Sequence, residues 1–343
     1  MELTPRKKAV LAAIVREYIE TGEPVGSRIL SELLENAPST ATLRNEMNEL
    51  CGLGYLSQPH TSAGRVPTSL AYRMYVESLM KPSSLGDSAK NHIDMLLNSG
   101  SGSPEEIPRA AAESLSELTG YPSFYSYNGD KELFFKKIQL MHIGRRSVVV
   151  LGIISDGRTQ SRMCRLPYEV TKEFEVLFEN TVKEKILRKS LSSLDPASLQ
   201  SLVASLGEMS LDMLPLFSEL FKMAQSASRP FVSMCGAAKL YEFSNGDSVR
   251  KISSLVSAPE IFLSVLDKAG KDKEVIFGSD TVFPELSDKT LIVSDYESNG
   301  IKSGKIGIIG PYRMPYESII PSVEYAADEL SKLMTDAAKD LED

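Results

Sequence analysis

Gln58-Pro-His-Thr-Ser-Ala-Gly-Arg-Val-Pro-Thr68 decides how the N-terminal part of this chain is read. Gly52-Leu-Gly-Tyr-Leu56 leads into it, and a short helix with one polar face precedes those glycines. Tyr55-Leu-Ser57 and Arg65-Val-Pro67 read as two short strands, with Thr61 to Gly64 as the tip between them. Pro59 and Pro67 stiffen the base of the hairpin and confine it to an edge pair, because proline donates nothing to a ladder. Helix, glycine stop, strand and a glycine-tipped hairpin carrying one arginine is the layout of a winged helix-turn-helix. Such a unit lays one helix in the major groove of duplex DNA and a basic loop beside it.

The residues upstream fit that layout. Thr4 and Pro5 open a helix with a capping hydroxyl and a proline at its first position. Val10, Leu11, Ile14, Val15, Tyr18 and Ile19 form one apolar stripe, and Gly22 ends the helix. Gly26-Ser27 opens a short second helix with Leu30, Leu33 and Leu34 expected to face inward. Asn36-Ala-Pro38 is a turn. Ser39 then caps a third helix whose expected buried face is Leu43, Met47, Leu50 and Cys51.

The opposite face of the third helix carries Thr40, Thr42, Arg44, Asn45 and Asn48, with Ser39 at its mouth. Arginine binds guanine bidentately, asparagine binds adenine bidentately, and hydroxyls reach either bases or phosphates. A helix N-terminus also suits a phosphate. Alone, such a face fits a solvated helix equally well; the hairpin that follows favours a reading face. Arg65, just past the tip, is expected near the minor groove or flanking phosphates, where negative potential favours arginine. His60 and Thr61 lie within reach of the DNA backbone, although His60 also reads as a plain loop residue. Gly64 reads as a turn residue. The expected contact set is Ser39, Thr40, Thr42, Arg44, Asn45, Asn48, His60 and Arg65.

Composition limits the alternatives. A chain of 343 residues, 42% hydrophobic and 24% charged, has room for two or three domains. A net charge of −8 and a pI near 5.2 argue against a non-specific nucleic-acid coat. Residues 1–80 hold 8 Lys+Arg against 9 Asp+Glu, so positive charge for DNA must be focused on one face. Cys51, Cys164 and Cys235 are isolated, which fits a reducing compartment and no disulfide framework. His60, His92 and His142 are dispersed, so no zinc site can be read and no cofactor is expected. Neither a signal peptide nor a run of 18 apolar residues is seen; no membrane partner is expected, and the cytoplasm is the expected compartment.

Further along, Tyr72, Met74 to Val76 and Leu79 suggest a helix leaving the hairpin. Residues 81–86 and 98–103 read as linkers, with short helices expected near 89–97 and 108–118. Ile138–Ile143, Ser147–Ile154 and Thr159–Leu166 read as strands, the second apolar on both faces like a central strand. From about 171 the pattern turns helical: Phe174 to Leu187, a helix capped by Asp195-Pro196, and a third near 211–223 containing Pro215. Strands are expected again at 231–235, 274–277, 291–293 and 305–309. Helices are expected near 249–256, 259–269 and 316–333. The expectation is an α+β chain: a winged helix over 1–80, a linker over 81–104, a sheet domain over 105–169 and 229–343, and a helical insert over 170–228.

Enzyme motifs are missing. There is no Gly-x-Ser-x-Gly, P-loop or His-Glu-x-x-His. The spaced glycines of 304–310 lack the strand-to-helix setting of a phosphate loop and read as close strand packing. Asp280, Asp288 and Asp295 read as turn or cap residues. Two other classes remain to be weighed. A small-molecule sensor would use Tyr and Phe of 121–135 as a pocket lining, although core packing suits them better. An RNA-binding regulator would display aromatic platforms, and 39–68 holds only Tyr55.

The chain also resembles a known family. Glu20-Thr-Gly-Glu-Pro-Val-Gly-Ser27, Thr40-Ala-Thr-Leu-Arg-Asn-Glu-Met47, and Gly54-Tyr-Leu with the hairpin up to Thr68 resemble the N-terminal signature of the HrcA family of bacterial heat-inducible transcription repressors. Gly236-Ala-Ala-Lys-Leu240 and Gly304-Lys-Ile-Gly-Ile-Ile-Gly-Pro-Tyr-Arg-Met-Pro-Tyr316 resemble its C-terminal signatures. One departure follows Thr68, where the family has a charged residue and Gly before Tyr-Arg and this chain has Ser69-Leu-Ala-Tyr-Arg73. It bears on the capping of the next helix, not on the wing. The resemblance implies a winged helix, a GAF-like domain and an inserted dimerising domain. It further implies a homodimer repressing chaperone operons at an inverted-repeat operator, CIRCE, with the chaperonin GroEL as modulating partner.

Overall fold

In a computed structural model, which describes residues 3–35, 37–60, 63–81, 83–100, 103–127, 133–205, 210–267 and 274–340, the Thr4 hydroxyl accepts from the Lys7 amide and starts α1 (Pro5–Thr21). Val10, Leu11, Ile14 and Val15 are buried, and Gly22 ends the helix with φ +75°. In α2 (Ser27–Leu33) only Leu30 is buried; Leu33, expected inside, is 46% exposed, and Leu34 is partly covered. Two turns present one residue to the core, so the leucine run overstates the buried face.

Ser39 accepts from the Thr42 amide at 3.2 Å and caps α3 (Thr40–Gly52). Leu43, Met47 and Leu50 are buried as expected, while Cys51 is half-buried. Glu46 is buried too, which hydropathy does not foretell; the Arg6 guanidinium donates to it and supplies the opposite charge that a buried carboxylate requires. The hairpin pairs β1 (Leu56–Ser57) with β2 (Val66–Pro67). Its second arm also bonds the α1–α2 loop, with Val25 and Arg65 exchanging hydrogen bonds of 2.9 and 2.8 Å. Gly64 serves that approach and not a left-handed turn: a Cβ there would lie 2.5 Å from the Val25 carbonyl carbon and oxygen. The tip residues Thr61 and Ser62 lie outside the described residues. The chain leaves through α4 (Ser69–Met74), which continues as a π turn over Tyr75–Leu79.

The larger sheet is antiparallel throughout. Its order is β7 (Phe231–Cys235), β3 (Ser123–Tyr127), β10 (Ile301–Pro311), β9 (Lys289–Ser298), β8 (Glu274–Phe277). Alternate residues divide between two cores. Tyr125, Ile292, Tyr296, Ile306 and Ile308 pack toward α5 (Asp87–Gly100), α6 (Ile107–Thr119) and α12 (Tyr316–Asp340). Phe124, Leu291, Val293 and Ile309 pack toward α10 (Gly246–Val256) and α11 (Pro259–Leu266). The N-terminal part of the expected second linker, 98–100, is the end of α5. The glycine spacing in β10 reflects close packing as expected: a Cβ at Gly304 would strike the Ser126 carbonyl.

The expected boundary at 169/170 does not match the packing. β4 (Phe135–Gly144), β5 (Ser147–Ile154) and β6 (Thr159–Arg165) form a separate three-stranded meander. They share one core with α7 (Lys172–Lys185), α8 (Pro196–Ser205) and α9 (Ser210–Ser228), built on Phe135, Val150, Phe178, Phe217 and Leu220. The inserted unit therefore begins near 133, strands included. Alternation shows that a strand has a covered face, not which sheet it joins, and tight connections keep this meander local. At the root of the insert the buried Arg158 donates to Asp156 at 2.7 Å and to the Ala227 carbonyl at 3.2 Å, and lies 4.5 Å from the Tyr127 ring centroid. Of the carboxylates expected at turns, Asp280 ends the 3-10 turn Gly278–Asp280 and Asp288 lies in the turn before β9, while Asp295 lies within β9. All three are also ion-paired: Asp280 with Arg73, Asp288 with Lys289 at 2.6 Å, and Asp295 with Lys302 and Lys305.

Candidate nucleic-acid interface

The Ser39 cap fixes which side of α3 faces outward. With Leu43, Met47 and Leu50 inside, Thr40, Arg44, Asn45 and Asn48 are exposed on the other face. Positions 40, 44 and 48 are one turn apart and make a stripe. Thr42 is half-buried, and its hydroxyl lies 3.0 Å from Ser39 Oγ, so this pair serves the cap as well as the surface. Arg44 pairs with no carboxylate among the described residues, which leaves a free guanidinium on the stripe. Lys7, by contrast, is held by Glu49 at 2.6 Å; that hydrogen bond raises its pKa despite the opposing pull of desolvation.

The wing is held beside this helix. Gln58 donates from Nε2 to the Ala63 carbonyl at 3.1 Å and so clips the hairpin below its tip. His60 is exposed on the first arm. Arg65, just past the tip, is tied back to the helix. Its Nη2 donates to Asn48 Oδ1 at 2.7 Å, which lays the guanidinium against the third turn of α3. Asn48, Arg44 and Arg65 thus form one continuous polar strip across helix and wing, with Thr40 and Asn45 alongside. Sequence inspection named each of these residues but missed the Asn48–Arg65 bond and the clip at Gln58. Nothing in linear spacing marks either.

An exposed helix face with a free arginine and two asparagine amides, capped at its N-terminus and flanked by a basic hairpin, is suited to duplex grooves. Among the described residues no group of three or more His, Cys, Asp or Glu is placed to hold a metal ion. No helix among them is long and apolar enough to cross a membrane. The N-terminal unit is a winged-helix DNA-binding domain.

The comparisons with known proteins agree. Residues 2–79 match the family described as the winged helix-turn-helix transcription repressor, HrcA DNA-binding, and residues 105–320 match the HrcA protein C-terminal domain. Proteins called heat-inducible transcription repressor HrcA are similar over nearly the whole chain. The one from Thermoanaerobacter pseudethanolicus is 30% identical, covering 99% of each chain. Those from Brevibacillus brevis and Acetivibrio thermocellus are 30% and 28% identical, over 97% of this chain and 98% and 96% of theirs. A crystal structure of a hypothetical protein at 2.2 Å resolution shares the fold at a TM-score of 0.69 and 21% identity, covering 98% of this chain and all of that one. The chain belongs to the HrcA family of heat-inducible transcription repressors. Repression is a non-enzymatic role.

Proposed function

We propose that two copies of this chain bind an inverted-repeat operator of the CIRCE type and repress chaperone operons in the cytoplasm, with GroEL as modulator. The observation that carries this reading is the strip formed by exposed Arg44, Asn45 and Asn48 and half-buried Arg65, joined across helix and wing. Ser39, Thr40, Thr42 and His60 complete the contact set, the hydroxyls and imidazole positioning on phosphates. Each α3 enters a major groove, and twofold symmetry doubles the contacts on a palindrome. Occupancy of a promoter then excludes polymerase.

The five-stranded sheet, with helices on both faces, serves as the GAF-like domain, and residues 133–228 as the inserted dimerising domain. Support for dimerisation lies on the uncovered face of the insert's sheet. Met141, Val149 and Met163 stand side by side in register, and Met141 and Met163 are 53% and 73% exposed. Ile143, also exposed, extends the same apolar surface. A contiguous apolar face of this kind marks an interaction site. The response to heat follows from a marginal fold maintained by the chaperonin: about 1–2 kcal/mol changes the active fraction several-fold.

The ligand-sensing alternative has weaker support. Phe124, Tyr125 and Tyr127 are buried against Phe262, Phe231 and one another, as core residues are. A cavity of about 400 Å³ does lie in the insert, between Lys189, Leu194, Leu202 and Phe221. Selection of operators from random duplex DNA at two salt concentrations tests the main reading. It predicts an enriched palindrome with an affinity that falls steeply with salt; enrichment of no sequence rejects it.

A further inference from the structure

The winged helix meets the sheet domain through side chains around one short stretch, Tyr312-Arg-Met-Pro-Tyr-Glu317, which runs from the end of β10 into the first turn of α12. Arg313 is at its centre. Its Nε donates to the Tyr18 carbonyl at 3.0 Å and the Ile19 carbonyl at 3.1 Å, and its Nη2 to the Glu20 carbonyl at 3.4 Å. These carbonyls belong to the last turn of α1, where intrahelical donors run out and the helix dipole is negative. The guanidinium also lies 5.9 Å from the Tyr18 ring centroid. Gly22 makes the space: a Cβ there would lie 2.5 Å from Arg313 Nη1.

The surrounding contacts are of the same kind. Glu317 accepts from the Tyr75 hydroxyl and pairs with Arg16 at 3.3 Å. Arg73 pairs with Asp280 and lies 5.1 Å from the Phe277 ring centroid. The Tyr72 ring stacks on Tyr312, centroids 6.1 Å apart. Polar and charged side chains thus ring a buried contact in which Tyr72 and Tyr75 of the winged helix share one core with Met314, Tyr316 and Ile319 of the sheet domain. Apolar packing is non-directional, so the angle between the two units is left to the hydrogen bonds and ion pairs of the ring.

We propose that Arg313 is a positioning residue for operator binding. By capping α1 from the sheet domain it sets the angle at which α3 is presented. Its Nε and Nη2 donate to α1 carbonyls, so it acts through the winged helix and not on DNA. The inference rests on the inverted-repeat reading, because a fixed angle matters where two reading helices must fit two half-sites together. A loosened joint leaves each helix able to bind one half-site and forfeits the gain from engaging both.

The test uses full-length Arg313→Ala, and Asp280→Asn, which frees Arg73 on the other side of the joint. Affinity is measured on a lone half-site and on inverted repeats whose spacing is varied in single base-pair steps. Small-angle scattering without DNA gives the maximum dimension. Both variants should keep the lone-half-site affinity, lose about tenfold or more at the best spacing, tolerate neighbouring spacings and show a larger dimension. An unchanged spacing profile with an unchanged dimension overturns the proposal, and so does an equal loss on the lone half-site and the repeat. If the wild type itself has no spacing preference, the inverted-repeat reading fails. Scattering then decides the joint separately: a larger dimension in Arg313→Ala upholds it as the fixed angle, and the same dimension refutes it.

Discussion

Arg65 Nη2 donates to Asn48 Oδ1 at 2.7 Å, joining the wing to the reading helix. Two residues that look like separate DNA contacts in sequence are one hydrogen-bonded unit in the fold. Each should therefore depend on the other. Replacing Asn48 or Arg65 by Ala should weaken operator binding by about 1–3 kcal/mol each. The double variant should lose clearly less than the sum, since residues sharing a hydrogen bond are coupled. A double-mutant cycle on a fixed operator checks this; strictly additive losses would mean that the bond does not persist on DNA.

Arg44 and Asn45 have no such tie among the described residues, so their effects should read base recognition directly. Arg44→Ala should cost about 1–3 kcal/mol on the operator and far less on shuffled duplex. Fluorescence anisotropy on both sequences separates the cases. Equal losses would assign Arg44 to phosphate positioning.

Gly64→Ala tests the attachment of the wing. The new methyl would lie 2.5 Å from the Val25 carbonyl, and backbone, not a flexible side chain, is in the way. The strained contact should destabilise the protein by about 1–3 kcal/mol and weaken DNA binding with it. Thermal unfolding gives the first effect. A wild-type melting curve would show that the hairpin does not rest on the α1–α2 loop.

The apolar row on the insert gives a third kind of prediction. Met141→Asp with Met163→Asp places two carboxylates on an exposed sheet face, 53% and 73% accessible at those positions, where the monomer tolerates them. The variant should elute as a folded monomer in size-exclusion chromatography with light scattering. It should also lose the affinity gained from a second half-site. A dimer of unchanged stability would place the interface elsewhere.

Acid stability should report the Asp295 cluster. Burial alone would raise this carboxyl, but hydrogen bonds from Lys302 and Lys305 outweigh it and hold it below the usual carboxylate range. A carboxyl lowered on folding stabilises above its unfolded value, and that contribution is lost as pH falls through the lowered one. Asp295→Asn should therefore reduce stability at neutral pH and flatten the decline below the ordinary aspartate value near pH 4. Unfolding curves from neutral to acid pH measure both. An unaltered acid limb would mean that solvent screens the cluster.

Local signals made the first eighty residues legible. The Thr4 and Ser39 caps, the Gly22 stop and the hairpin prolines each act within a few residues, so linear order reveals them. The exposed face of α3 followed from its apolar side. What stayed hidden depends on distant partners. Glu46 looks like a surface residue until Arg6 lies across it. β3 carries no alternation because both its faces are covered, so Phe124 and Tyr125 read as core packing without a strand being legible. The separate sheet of the insert's strands is not legible, because periodicity carries no information about pairing. Arg313 was visible only as part of a signature, since its carbonyl partners lie almost three hundred residues away in the chain.

The central claim is that α3 and the wing read a palindrome in twofold register. Binding of the full-length protein to an imperfect inverted repeat, against the same bases shuffled, is the most direct measure. The account predicts saturable binding to the repeat, with two chains per duplex and an affinity about 10³-fold or more above the shuffled control. Equal affinity for both, from protein shown to be folded and dimeric, would contradict it.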